Sequence, residues 1–240
     1  MTRHFGVLIP STNTTVEIEY NRLLPESLQV HVGRLGKDGK SPFAPSLKED
    51  IDYQAKMLGT ANVEVVSLAQ TSASLFEANY DEQTKARISA AAGAPAITSA
   101  QAIGMALGAL GVQRIALVSP YSEAVIALAK DYYQTHYGLS VLAMEGFAAE
   151  DAYAIGAIGP EHATAAFKRI DNAEIEALVV PGGNFPTMKY INDWEAQLGK
   201  PVITTNQAGL WALLDVMQIR TPLAGLGQLL AKMPASIAAQ

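Results

Sequence analysis

The chain has 240 residues, 49% of them hydrophobic and 17% charged, enough apolar material for one large domain or for two of about 110 to 120 residues, and no tract reads as disordered. Its formal net charge is −6, and its 17 Lys and Arg are scattered rather than striped, which argues against nucleic acid or an anionic membrane surface as a partner. There is no cysteine, which excludes disulfides, thiolate nucleophiles, thiol acid/base pairs and sulfur-ligated metals.

The opening Met1-Thr2-Arg3-His4 precedes an apolar run, Phe5 to Pro10, too short for the core of a secretory leader. No later stretch approaches the roughly 20 apolar residues of a membrane helix, so a cytoplasmic location without membrane association is expected.

Short runs rich in Val, Ile and Leu then alternate with segments of helical period, the pattern of βα units around a buried parallel sheet. Strands are expected near Phe5 to Ile9, Val30 to Gly33, Val63 to Leu68, Ala96 to Thr98, Arg114 to Val118, Ser140 to Met144, Ala177 to Val180 and Val202 to Thr204. Helices are expected from Thr14 to Leu24, Leu47 to Leu58, Glu82 to Ala91, Ala100 to Leu110, Ser122 to Thr135, Glu161 to Asn172 and Gln207 to Met217. Ser46, Ser99 and Asn206 suit helix capping, and Pro25, Pro160 and Pro222 punctuate helix ends or their approaches.

The chain also repeats itself. Pro95-Ala96-Ile97-Thr98-Ser99-Ala100-Gln101-Ala102 returns 106 positions later as Pro201-Val202-Ile203-Thr204-Thr205-Asn206-Gln207-Ala208. Val7-Leu8-Ile9-Pro10-Ser11 resembles Ala116-Leu117-Val118-Ser119-Pro120 at a similar offset. The repeat implies two α/β halves: residues 1–111, completed by the C-terminal helical segment at about 207–240, and residues 112–206. When such halves face each other, their strand-end loops converge on a cleft where a small ligand can bind.

Four loops follow strands at matching positions: Pro10 to Thr15, Gln70 to Ser74, Pro120 to Glu123 and Pro181 to Asn184. All are small and polar and none contains Lys or Arg. Helix N-termini with Asn13, Thr14, Thr71 and Ser72 as added donors suit a small carboxylate. A phosphate loop and a dinucleotide fingerprint are both missing from the expected places, and Gly225-Leu226-Gly227 lacks the strand that should precede it. His4, His31, His136 and His162 lack metal-ligand spacing, so no metal site is expected. Glu150 and Asp151 read as a solvated turn, and Trp211, Tyr132 and Tyr133 as packing residues. The directions of Phe43, Phe147, Tyr153 and Phe185, which bear on ligand size, are not fixed by the sequence.

On these residues the chain resembles the aspartate/glutamate racemase superfamily, and within it the maleate isomerase and arylmalonate decarboxylase group. Gly6 to Thr15, and Asn206-Gln207-Ala208 with Trp211, resemble the isomerase. Val65-Val66-Ser67-Leu68 followed by Thr71-Ser72, and Gly225 to Leu229, resemble the decarboxylase; Tyr121 falls where the group has an active-site tyrosine. The resemblance implies two pseudo-symmetric flavodoxin-like halves enclosing a small carboxylate or dicarboxylate, no cofactor, and self-association into a homo-oligomer. It also implies paired cysteines. Their positions are occupied here by Gln70 and Pro181, neither of which can serve as nucleophile or proton shuttle.

Substrate binding is therefore expected from Asn13, Gln70, Thr71, Ser72, Tyr121, Pro181, Gly182, Gly183 and Asn206, with Tyr121 as the candidate catalytic residue. Two functions follow: an isomerase or lyase of altered chemistry, or a carboxylate-binding pseudoenzyme or pathway accessory protein. Retention of Tyr121, Thr71 and Ser72 favours the enzyme, although Tyr121 would need its pKa of about 10 lowered by a strong local field to act as a base.

Overall fold

The computed structural model describes residues 2–37, 43 and 45–236. Among these residues, eight strands form two four-stranded sheets, parallel throughout. β1 (Arg3–Pro10), β2 (Leu28–Leu35), β3 (Val66–Leu68) and β4 (Ala96–Thr98) lie in the order β2-β1-β3-β4. β5 (Arg114–Ser119), β6 (Ser140–Gly146), β7 (Ala177–Val180) and β8 (Val202–Thr204) repeat that order as β6-β5-β7-β8. The internal repeat of the sequence is thus a repeat of topology.

The helices are α1 (Val16–Leu23), α2 (Lys48–Thr60), α3 (Tyr80–Ala92), α4 (Ser99–Ala109), α5 (Glu123–Tyr137), α6 (Ala152–Ala157), α7 (Pro160–Ile170), α8 (Ile191–Leu198), α9 (Thr205–Val216) and α10 (Gly227–Lys232). The helix expected near Gln207 is α9, and the chain beyond it turns before α10 rather than running on as one helix. α6, α8 and α10 were not expected. They have six, eight and six residues, too few turns for a periodic signal to stand out.

Alternation along the central strands sorts side chains into three cores. Phe5, Val7 and Ile9 of β1 and Ile115 and Leu117 of β5 join Ile103 and Leu107 of α4 and Leu210, Trp211 and Leu213 of α9 in one cluster shared by both halves. Leu8 faces away, into a cluster with Leu68, Ile51 and Ile88. Ala116 and Val118 do the same in the second half, with Phe167 and Trp194. α9 is buried from Thr205 to Leu214, as an element wrapped on all sides must be.

Three capping expectations are corrected. Thr98, not Ser99, caps α4, and Thr204, not Asn206, caps α9 with Gln207 closing a capping box. Ser46 caps nothing; it bridges to Lys37 and donates to Gln70. A β-region residue directly before the first helical N–H groups does the capping, which places Ser99 and Asn206 inside the first turn. Asp151, in the exposed stretch read as a turn, caps α6 by accepting from Ala154 N at 2.7 Å.

Candidate functional site

The two matching strand orders each reverse direction beside their first strand, between β1 and β3 and between β5 and β7. Loops leaving the carboxyl ends of strands at such a switch point form the ligand crevice of open α/β sheets. Here a narrow cavity of about 50 Å³ lies where those loops converge. Pro10, Thr12 and Asn13 line it from β1, Ala69, Gln70, Thr71 and Ser72 from β3, Tyr121 from β5, and Gly182, Gly183 and Asn184 from β7. Ala152 and Ile155 of α6 and Lys37 and Phe43 after β2 also line it. A larger depression, about 850 Å³, opens between α2 and α3, and none of the four polar strand-end loops lines it.

Each donor is held by its neighbours. Asn13 Oδ1 accepts from Thr15 N and Val16 N, both at 3.0 Å, so its amide NH₂ is the end left for the cavity. Thr71 Oγ1 lies 2.9 Å from Ser99 Oγ and 3.2 Å from Thr205 Oγ1. Thr205 Oγ1 in turn accepts from Gly182 N at 2.9 Å. Ser99 and Thr205 are equivalent positions of the repeat, so one hydroxyl chain joins both halves behind the cavity. Gly182 has φ +132°, and a Cβ there would fall 2.8 Å from Pro120 Cγ, so glycine is required.

Tyr121 is fully buried beside the Thr71 and Ser72 hydroxyls, with the Phe43 ring edge-on at 5.2 Å. Burial pushes its phenol pKa upward, and hydrogen bonding to Ser72 and Thr71 offsets this only in part. The local field is thus opposite to the one a tyrosinate base needs.

Seven of the residues singled out in the sequence therefore share one wall: Asn13, Gln70, Thr71, Ser72, Tyr121, Gly182 and Gly183. Two sit behind it. Pro181 uses its carbonyl to accept Ser119 Oγ at 2.7 Å. Asn206 donates from Nδ2 to Gly183 O (3.1 Å) and Glu19 Oε2 (2.6 Å), supporting the loop from the rear. Thr14 turns outward to Asn184, whose Oδ1 accepts Thr14 N at 2.7 Å. Of the four aromatics with unfixed directions, Phe43 reaches the cavity, Phe147 and Phe185 pack edge-to-face in the second half, and Tyr153 is exposed.

Sequence reasoning missed Lys37 and Glu19. Lys37 is the only charged residue among the described residues lining the cavity. Burial lowers its pKa, against the nearby Asp151 carboxylate, which raises it. The signal was present, since Lys37 follows a strand as the four loops do, but β2 has no counterpart in the repeated motifs. Glu19 is buried on α1 and accepts from Thr187 N (2.7 Å), Met188 N (2.9 Å) and Asn206 Nδ2. Its burial pushes the carboxyl pKa up, opposed by those donors. A lining of hydroxyls, amides and one cation, without a carboxylate among the described residues, suits a small anion.

Known proteins resemble this chain over most of its length. A family model described as arylmalonate decarboxylase matches residues 5–230. Maleate isomerase of Pseudomonas putida is 27% identical, over 94% of this chain and 96% of that protein. Arylmalonate decarboxylase of Bordetella bronchiseptica is 26% identical, over 86% and 87% of the two chains. The crystal structure of a cysteine-to-alanine variant of the maleate isomerase Iso from Pseudomonas putida S16, with maleate, superimposes with a TM-score of 0.89 at 27% identity, covering 97% of this chain and 98% of that one. Among the described residues no helix is long and apolar enough to cross a membrane.

Proposed function

The chain belongs to the arylmalonate decarboxylase family, and from that premise we propose that it is a cofactor-independent isomerase or decarboxylase acting on a small carboxylate or dicarboxylate without thiol chemistry. The observation that carries this is the cavity at the paired switch points, walled by neutral donors from both halves. Decarboxylation of a malonate, and isomerisation of an unsaturated diacid by reversible addition of a nucleophile to its double bond, both pass negative charge onto a carboxylate group. Fixed donors aimed at that charge lower the barrier because they need no reorganisation when it develops.

Asn13, Thr71, Ser72 and Tyr121 supply those donors, with the loop at Gly182 and Gly183 permitting close approach. Gln70 and Pro181 stand where the resemblance places the relatives' thiols, and with no cysteine in the chain the reaction uses another group. Kinship with enzymes of two related activities does not favour a carboxylate binder without turnover. Avoidance of nucleic acid accords with the acidic charge balance, whereas a homo-oligomer in the cytoplasm rests on the family resemblance and on the lack of a leader-like apolar run, and sizing by light scattering tests the self-association.

The test is incubation with maleate and with alkyl- and arylmalonates in deuterated water, followed by NMR. Isomerisation, or CO₂ release with solvent deuterium in the product, is expected. If no acid that raises the melting temperature is turned over, the activity is refuted. Replacing Thr71 and Ser72 together by Ala should abolish the ligand-induced stabilisation; binding that survives this would mean that the site lies elsewhere.

A further inference from the structure

The neutral donors can hold a carboxylate, but they do not explain where a proton comes from when carbon takes on negative charge. Lys37 lines the same cavity, and its backbone is fixed: it pairs with Ser46 in an antiparallel bridge. Ser46 N and Oγ both donate to Gln70 Oε1, at 3.2 and 2.8 Å, tying this segment to the residue beside Thr71. At its base Gly36 N donates to Asp50 Oδ2 at 2.6 Å, and Leu47 N to Gly36 O at 3.0 Å. The lysine is thus carried on a backbone segment paired with Ser46 and Leu47 and anchored to the cavity wall through Gln70.

Among the described residues, two ionisable groups bear on it. Asp151, the cap of α6, is the acidic neighbour, and Tyr121 is the phenol across the cavity. Burial moves the two lining groups in opposite directions, the phenol upward and the ammonium downward. An ammonium is also the group best able to pair with one carboxylate of a dianion while keeping a proton to give.

Resting on the function proposed above, we propose that Lys37 is a catalytic residue whose ammonium pairs with the retained carboxylate of a malonate-type diacid and then protonates its α-carbon. The bond to the leaving carboxylate breaks, CO₂ departs, and the electron pair spreads over the α-carbon and the retained carboxylate. A proton passes from Nζ to the α-carbon to form the new C–H bond. The neutral amine recovers a proton from water, so each turnover consumes one solvent proton.

The experiment compares the wild-type protein with Lys37→Ala and Lys37→Arg on a malonate that the wild type turns over, with melting temperatures to confirm folding. A loss in kcat of about 100-fold or more is expected for Lys37→Ala, in the range of general acid catalysis. Lys37→Arg should keep ligand stabilisation and lose kcat, because a guanidinium pairs with a carboxylate but does not release its proton. Added propylamine should restore part of the Lys37→Ala rate and none of the Lys37→Arg rate. An active wild type with an unaffected Lys37→Ala, or a fully active Lys37→Arg, overturns the lysine's role and leaves the activity standing. A wild type inert to every acid it binds overturns the activity and the proton transfer together. A second readout covers a variant that does not fold: acetylation of Lys37 in the wild type, followed by mass spectrometry, should be blocked by methylmalonate, and unblocked modification overturns the proposal.

Discussion

Glu19 and Asn206 meet across the two halves of the molecule, Glu19 Oε2 accepting from Asn206 Nδ2 at 2.6 Å where both are buried. The carboxylate comes from α1 and the amide from α9. Through Gly183 O, which the same Nδ2 reaches at 3.1 Å, this contact supports the loop that forms the second half's share of the cavity. A buried carboxylate with three donors is built to accept only, so any substitution that adds a proton donor leaves two donors facing each other.

Glu19→Gln is therefore expected to destabilise the protein by about 1–3 kcal/mol, the penalty for a buried hydrogen-bonding group left unpaired. Urea unfolding measures it. Ligand-induced stabilisation should fall as well, because the loop at Gly183 loses its support.

Gly182→Ala should cost about 1–3 kcal/mol, since φ +132° and the close Pro120 ring together leave no strain-free place for a Cβ. The relation is local to the cavity, so thermal shift with maleate or methylmalonate should vanish even under conditions in which the variant stays folded.

Thr98→Ala and Thr204→Ala remove equivalent caps of α4 and α9 and should each cost about 1 kcal/mol. Thr204→Ala should be the worse of the two. Both are buried, but only Thr204 has a complete capping box, with Gln207. Equal losses in chemical denaturation would show that the box adds nothing.

His4 Nδ1 lies 3.0 Å from His31 Nε2, and burial, with His4 adding to it, holds the His31 pKa below its ordinary value. The unfolded chain then binds a proton more readily than the folded one. The contribution of His31 to stability is complete above the unfolded pKa of about 6.5 and is lost as pH falls through the lower folded value. Melting temperatures from pH 7 to 5 should decline in the wild type and decline less in His31→Gln.

With a cavity of about 50 Å³, compact diacids should stabilise the protein more than arylmalonates do. Thermal shift with methylmalonate, maleate and phenylmalonate at one concentration ranks them. A larger shift with phenylmalonate would show that the aromatic wall at Phe43 yields readily to a bulky substituent.

What the residue order fixed by itself was everything that depends on local period and on chain direction. Apolar runs and helical spacing placed the eight strands and the long helices, and the repeat at Pro95 and Pro201 announced two copies of one strand–helix unit. Because a parallel strand carries its following loop to a known end of the sheet, Asn13, Thr71, Ser72, Tyr121 and Gly182 could be assigned to one cleft without coordinates. Tertiary structure alone decided what depends on contacts between distant segments. It put Asn206 and the Pro181 carbonyl behind the cavity, drew Glu19 across from α1, and brought Lys37 in from a loop with no repeated counterpart. It also set the direction in which burial shifts the Tyr121 phenol and the Lys37 ammonium. Desolvation and charge pairing are properties of the packed surroundings, and no spacing along the chain encodes them.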